Sequence, residues 1–145
     1  MTVDRLRLDD IPQLAALYDD LVQEKNDPAI CAQRYREIVG REDQAVFVAR
    51  DGGRIVGTAM CIACPSLAFG GRPFLVIEDV IVLEECRGMG IGRLLFAELD
   101  AFALERNCSY AILVSSGFRT GAHAFYQKMG FSGDVRGFRK GYGKE

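Results

Sequence analysis

Glycines that alternate over positions 88–92, with Arg87 before them and Arg93 after them, are the residues of this chain best suited to bind a ligand. They follow a run of β-branched apolar residues and precede an amphipathic segment. Glycine lets backbone N–H groups approach a ligand closely, and a helix N-terminus offers unpaired N–H donors at the positive end of its dipole. The segment therefore predicts a binding site for a phosphate or pyrophosphate group.

Two common phosphate-binding motifs do not fit this spacing. Gly88, Gly90 and Gly92 are two residues apart, whereas the dinucleotide fingerprint is G-x-G-x-x-G with an acidic residue about 20 residues further on. A P-loop needs Gly-Lys followed by Ser or Thr, which the segment lacks. A flexible turn without any ligand is the remaining alternative, and the flanking arginines argue against it.

Length and composition narrow the class of protein. The 145 residues predict one domain, 1–145, that is long enough to bury a sizeable core. A net charge of −2 gives no electrostatic footprint for nucleic acid. No apolar run reaches the roughly 18–20 residues of a membrane span, and the first residues carry no signal-peptide pattern. We therefore expect a cytoplasmic protein without a nucleic-acid or membrane partner.

The cysteines and the histidine give no pattern that is typical of a metal site. Five cysteines are scattered along the chain, which in a reducing compartment is the pattern of small buried residues. Cys61 and Cys64 form a CxxC pair, but they lie on a predicted strand, where residues three apart point to opposite faces. His123 is the only histidine. We expect neither a metal nor a redox role.

Hydrophobic periodicity and turn residues predict the elements that must position the glycine segment. The predicted strands are 3–8, 44–50, 54–64, 74–82 and a short buried one at 110–114, with one or two more within 131–142. The predicted helices begin near Asp10 and Asn26 and cover 90–106 and 120–129. In the third helix we expect a core face, made by Ile91, Leu94, Leu95, Leu99 and Phe102. This order predicts a mixed α/β domain with a largely antiparallel sheet.

Two motifs together resemble the GNAT superfamily of N-acetyltransferases. Residues 87–92 match R/Q-x-x-G-x-G/A, the acetyl-coenzyme A loop of that family, and residues 122–131 resemble its A-x-x-F-Y-x-x-x-G-F helix. Residues 77–82 have the hydrophobic and acidic pattern of the family's fourth strand. Because the two motifs are separated by the expected helix and strand, the chain is identified as a member over its whole length.

The resemblance implies a fold and a donor site. The GNAT fold is a mostly antiparallel sheet of six to seven strands, splayed between strands 4 and 5 and flanked by four helices. The pantetheine arm of acetyl-CoA lies in the gap like an added strand. The expected acetyl-CoA contacts come from the main chain of three strand residues, the amides of the glycine segment, the charge of Arg87 and the helix tyrosine. They are Val80, Ile81, Val82, Arg87, Gly88, Met89, Gly90, Ile91, Gly92, Arg93 and Tyr126.

The same resemblance implies direct attack of a primary amine on the thioester in a ternary complex. Tyr126 stands at the family's usual position for the acid that protonates the departing sulfur. Glu78 or Asp79 is the expected base or water-relay residue. Since they are neighbours on a strand, we expect them to face opposite sides, with Glu78 in the cleft. A mechanism without a dedicated base stays open. Glu78, Arg119 and His123 are the expected substrate contacts.

The sequence indicates the acceptor amine less specifically than the acetyl donor. Residues 77–88 resemble glucosamine-6-phosphate N-acetyltransferases, and residues 119–131 resemble aminoalkylphosphonate and aminoglycoside acetyltransferases. Both branches act on compact polar amines, often anionic, and basic residues near the C-terminus would suit such a substrate. A protein or peptide N-acetyltransferase and a CoA-binding regulatory module of the same fold are the alternatives. Homodimers are common in this superfamily, which is the one reason to expect a dimer here.

Overall fold

Two long antiparallel strands joined by a tight turn form the centre of the sheet. The structure is a computed structural model that describes residues 1–22, 24–115 and 120–143. In chain order its elements are β1 (Thr2–Arg5), α1 (Ile11–Val22), α2 (Pro28–Val39), β2 (Gln44–Asp51), β3 (Arg54–Cys64), β4 (Phe74–Val82), α3 (Ile91–Glu105), β5 (Ala111–Ile112) and α4 (Thr120–Lys128). The strands follow one another in the sheet in the order β1-β2-β3-β4-β5. The first three pairings are antiparallel and the last is parallel.

Alternation along β2 buries both faces of the sheet. Val46 and Val48 pack into a cluster with Leu14 of α1, whereas Phe47 between them meets the ring of Phe102 on α3 at 6.4 Å between centroids. Successive strand side chains point to opposite faces, so α1 and α2 cover one face and α3 the other.

Local chemistry sets where α2 begins and ends, as the sequence predicts. The Asp27 carboxylate accepts a hydrogen bond from the Ala29 N–H at 2.9 Å, Pro28 fills the first helical position, and the helix ends at Gly40. Asparagine and aspartate caps satisfy N–H groups that the first turn leaves without partners, and proline has no N–H to lose.

Three sequence-based expectations about the fold are wrong. β1 ends at Arg5 rather than at residue 8, because a 3-10 turn over Leu8–Asp10 leads into α1. β5 contains two residues that are not buried. Leu94 is 43% exposed, and Phe96 takes its place in the buried stripe of α3.

The sheet also has fewer strands than expected. It contains five within the described residues rather than six or seven, and 131–143 holds none. Glycine weakens strands, and this segment contains four glycines within 131–143. Its apolar residues Val135, Phe138 and Tyr142 are exposed, so no buried face stabilises a ladder there. What the structure describes is a mixed α/β fold of five strands and four helices.

The chain divides into two compact units, Met1–Leu113 and Val114–Glu145, which are described separately. The first contains the whole sheet, α1, α2 and α3, and the second contains α4. None of the described helices is long and apolar enough to cross a bilayer.

Candidate active site

The glycine segment forms an exposed turn that opens directly into α3. Gly88 and Gly90 have φ angles of +81° and +83°, a region that residues with a side chain rarely adopt. Gly90 is the N-cap and brings no side-chain acceptor, and the first helical hydrogen bond runs from the Leu94 N–H to the Gly90 carbonyl. The amides of residues 91–93 therefore have no acceptor within the helix. Their arrangement fits an anionic group such as a pyrophosphate.

Gly57 on β3 determines how closely the start of α3 approaches the sheet. A Cβ built on Gly57 would lie 3.0 Å from Cγ2 of Ile91 and 3.3 Å from the Ile81 carbonyl oxygen. Ile91 is 1% exposed, so it has no free space into which to move. The sequence analysis did not single out Gly57. A glycine inside a strand is the signal that could have identified it, because it often marks the close approach of another element.

One edge of β4 is open beside this turn. Among the described residues, β5 pairs with β4 only at Leu75 and Val76, and the rest of β4 has no strand on that side. On its other side the Leu83 N–H donates to the Val56 carbonyl of β3 at 2.9 Å, and Ile81 pairs with Thr58.

The direction of each peptide group follows from this register. In a trans peptide the C=O points opposite to the next residue's N–H, and in an antiparallel ladder alternate residues bond the neighbouring strand. Ile81 therefore turns its main-chain groups toward β3. Val82, together with the carbonyl of Val80, turns its main-chain groups toward the open edge. Of the three residues expected to pair with pantetheine, Val80 and Val82 have the suitable orientation.

Arg87 already contacts this edge. Its Nε donates to the Val82 carbonyl at 3.3 Å, and the side chain is otherwise exposed. The arginine that opens the glycine motif thus lies between the open strand and the helix N-terminus, where its positive charge adds to that of the helix dipole.

A β-bulge changes the expected orientation of the two neighbouring carboxylates. Glu78 pairs with Met60 and Ile81 with Thr58, so that both Asp79 and Val80 lie opposite a single residue of β3. Asp79 has a φ of +55°, the left-handed region that Asp tolerates better than most residues. The register places Glu78 on the face of Met60, and Asp79 lines a cavity on that face. The expectation that the two face opposite sides is wrong, because the bulge interrupts the alternation.

The cavity lies between α1, α2 and the sheet and has a volume of about 280 Å³. Burial raises the pKa of Asp79 above its usual value, and this carboxylate has no hydrogen-bond or ion-pair partner among the described residues. Burial, and after it the charge of Asp79, also raises the pKa of Tyr18, whose hydroxyl forms a hydrogen bond with Thr58.

The residues of the second motif lie in the second unit. Tyr126 is half-buried on α4, and its ring centroid lies 5.6 Å from that of Phe125 and 6.1 Å from that of Phe131. The Phe131 N–H bonds the Tyr126 carbonyl at 3.0 Å as the chain leaves the helix through Gly130. His123 is half-buried one turn before Tyr126. Arg119, the other expected substrate contact, falls outside the described residues.

Metal ligands do not cluster in the part of the chain that the structure covers. No group of three or more histidine, cysteine, aspartate or glutamate residues there is placed to hold a metal ion.

Comparison with known proteins identifies the family of this chain. The family model described as "Acetyltransferase (GNAT) family" matches residues 11–131, and the chain belongs to that family. It is 37% identical over 94 residues to a glucosamine 6-phosphate N-acetyltransferase of Trypanosoma brucei brucei, a match that spans 65% of this chain and 62% of that enzyme's length. The protein is accordingly an acyltransferase, an N-acetyltransferase by the names of its relatives.

Solved structures show the same fold. An acetyltransferase of Trypanosoma brucei superposes with a TM-score of 0.83 at 27% identity, covering 97% of this chain and 98% of the other. The glucosamine-6-phosphate N-acetyltransferase of Arabidopsis thaliana superposes with a TM-score of 0.89 over 98% of both chains. At 22% identity this second likeness concerns the fold alone.

Proposed function

We propose that this protein transfers the acetyl group of acetyl-CoA to the primary amine of a small molecule, by direct attack in a ternary complex. The observation that carries the proposal is the continuity of the donor site. The open edge of β4, Arg87 and the free amides at the start of α3 follow one another within residues 80–93. They offer strand-like hydrogen bonds for amides and an anion-binding turn for a pyrophosphate.

Different residues of this chain are suited to bind different parts of acetyl-CoA. Val80 and Val82 are suited to bond the pantetheine amides, and Gly88, Gly90 and the first amides of α3 are suited to the pyrophosphate. Acetyl-CoA would supply the activated acetyl thioester. The glycine positions leave the backbone accessible, because a Cβ at Gly88 or Gly90 would stand in open space where the ligand is expected.

The proton transfers fall to Asp79 and Tyr126. Asp79 accepts one proton from the ammonium group of the acceptor, and the freed nitrogen forms a bond to the acetyl carbon as the C–S bond breaks. Tyr126 is the acid on the strength of its motif position: its phenol gives a proton to the departing sulfur, and the second proton of the nitrogen restores the phenol. Asp79 stands ahead of Glu78 in this role because burial holds its pKa above the ordinary value.

Two measurements on the purified protein test the proposal. Isothermal titration with CoA should give one site per chain, and thiol release from acetyl-CoA should depend on an added primary amine. Binding without transfer to any small amine or peptide would overturn the assignment as an enzyme acting on amines. Absence of CoA binding would overturn the donor site itself.

A further inference from the structure

The walls of the cavity between α1, α2 and the sheet are mostly apolar. Aliphatic side chains make up most of its described lining, and its mouth includes the exposed apolar side chains of Val22 and Ile30. Deeper inside lie Met60 and Val46 of the sheet face. A volume of about 280 Å³ is at the small end of ligand pockets, which suits a compact molecule.

The described lining of this cavity is negatively charged inside and carries positive charge at its outer edge. Asp79 is the one carboxylate in the described lining, and it has no ion-pair partner among the described residues. The one cation of the described lining is Arg34, which lies at the outside with 60% of its side chain exposed and is paired with Glu37 at 2.8 Å. The lining thus provides an anion for a ligand and leaves no unpaired cation to receive one.

Uncharged polar groups do not compensate for this. The Asn26 side chain bonds Asp19 and the Glu24 carbonyl at 2.9 and 3.0 Å, so the phenols of Tyr18 and Tyr35 are the remaining hydroxyl donors of the described lining. A phosphate or carboxylate taken into this space would lose its water, would gain at most hydrogen bonds from neutral phenols and would stand near Asp79. An ammonium group would instead gain a charge-assisted hydrogen bond.

We propose that the acceptor is a compact primary amine with an alkyl or arylalkyl body and no anionic substituent, whose ammonium group is held by Asp79. This inference rests on the proposed acetyl transfer and makes its substrate class specific. It departs from the polar and often anionic amines that the sequence resemblance favours. It also departs from glucosamine 6-phosphate, the substrate in the name of the trypanosomal relative.

Position supports the assignment of this cavity to the acceptor. Asp79 is the bulge residue of β4, and the next residue, Val80, turns its carbonyl toward the open edge proposed for the donor. The bulge therefore brings a cavity-lining carboxylate within one residue of the donor edge. The nitrogen of an amine bound to Asp79 would therefore lie between the cavity and the donor edge.

Matched acceptors test the inference on the wild-type chain. The rate of thiol release from acetyl-CoA is measured with 2-phenylethylamine, hexylamine, phenylalanine, glucosamine and glucosamine 6-phosphate. Phenylalanine adds a carboxylate to the phenylethylamine body, and the phosphate distinguishes the two sugars. We expect kcat/KM for 2-phenylethylamine or hexylamine to exceed that for phenylalanine or glucosamine 6-phosphate by about 100-fold. The reason is that burying an anion with no cation to receive it is costly. Preference for glucosamine 6-phosphate or phenylalanine would overturn the inference.

A cavity-filling variant tests the location. Cys31 lines the cavity from α2, and Cys31→Phe would occupy space needed by the aryl group. Gln33→Phe adds the same ring on the exposed face of the same helix and is the matched control. We expect Cys31→Phe to lower kcat/KM for 2-phenylethylamine by about 10-fold or more, in the range by which pocket shape discriminates substrates, with Gln33→Phe unchanged.

The outcomes separate the inference from the proposed function. Equal activity of the two phenylalanine variants toward 2-phenylethylamine would place the acceptor elsewhere. If Cys31→Phe does not fold, as judged by circular dichroism, the preference of the wild-type chain among the five amines decides alone. Failure to bind CoA, measured by titration, would instead overturn the proposed function.

Discussion

The Tyr18 phenol and the Asp79 carboxylate line the same cavity, and the negative charge of Asp79 acts on the phenol. The pKa of the phenol is raised by burial and by the nearby negative charge, so Tyr18 stays protonated at neutral pH. It can shape the cavity but cannot act as a base there. The carboxylate beside it remains available to a ligand.

Asp79→Asn should separate function from stability. Because the pKa of Asp79 is higher in the folded chain than its usual value of 3.8, the ionised carboxylate disfavours folding at neutral pH. That penalty is absent below the unfolded pKa and complete above the folded one. We expect Asp79→Asn to match or exceed the wild-type free energy of unfolding at pH 7, with the difference vanishing toward pH 3.

The same substitution should lower kcat/KM for the amine by about 10- to 100-fold, the effect of losing one hydrogen bond to a charged group. Asparagine tolerates the left-handed backbone of this position. Asp100→Asn, an exposed site on α3, is the control. The groups that face Asp79 are Tyr18 of α1 with Cys31, Arg34 and Tyr35 of α2. A large loss of stability in Asp79→Asn would show that the carboxylate is structural.

Gly90→Ala should weaken acetyl-CoA binding and also cost stability. The left-handed backbone at Gly90 costs a residue with a Cβ about 1–2 kcal/mol, although the space around it is open. Gly52, in the β2–β3 turn, has a φ of +63° and equally open surroundings. Gly52→Ala should therefore lose similar stability in denaturant unfolding while leaving the KM for acetyl-CoA unchanged. Equal KM values for the two variants would remove Gly90 from the donor site.

Gly57→Ala tests whether β3 positions the start of α3. The added methyl would press on Cγ2 of Ile91, so we expect a higher KM for acetyl-CoA and a loss of about 1–3 kcal/mol in stability from overpacking. Ile91→Leu removes the branch that the methyl meets. In a double-mutant cycle it should restore part of both losses, since the two residues are in contact. Additive effects would contradict the proposed contact.

Tyr126→Phe addresses the acid assigned from the second motif. If the phenol protonates the departing sulfur, kcat should fall by about 100-fold or more while the KM for acetyl-CoA changes little. The ring contacts with Phe125 and Phe131 do not need the hydroxyl and are retained in this variant. An unchanged kcat with an unchanged pH profile would exclude Tyr126 from proton transfer.

Asp10→Asn should destabilise the fold in a pH-dependent manner. Burial alone would raise the pKa of Asp10, but hydrogen bonds from Arg50 and from the Arg7 N–H outweigh it and lower the pKa below 3.8. The stabilisation is thus present above the unfolded pKa and is lost as pH falls. We expect a cost of about 3 kcal/mol at pH 7 that shrinks below pH 4, whereas Asp43→Asn in an exposed pair should cost little.

The sequence analysis predicted well those helices, strands and turns whose limits depend on residues that are neighbours in the chain. Asp27, Pro28 and Gly40 set the limits of α2, and the strands 54–64 and 74–82 lie where the apolar runs place them. The glycine turn was predicted because its backbone demands are local. The bulge at Asp79 was not, since an aspartate in a strand gives no local signal of a left-handed backbone. It depends on how β3 and β4 pair across the sheet.

The rest of the site needed tertiary structure for the same reason. Leu94 fits the periodicity of α3, but the face that the sheet covers is shifted toward Phe96. The cavity beside Asp79 is made by α1, α2 and the sheet, and no single stretch of sequence contains its lining. The peptide orientations that favour Val80 and Val82 over Ile81 follow from the ladder with β3, which a residue pattern does not encode.

The open edge of β4 has a consequence for solubility. The main-chain groups of Val82 and the carbonyl of Val80 face this edge, which a second polypeptide could extend as an added strand. Arg87, by bonding the Val82 carbonyl, places a charged side chain across this edge, a feature by which natural sheets resist intermolecular pairing. A donor that fills the same gap would also protect the chain from aggregation, so the ligand-free protein is the form most prone to self-association.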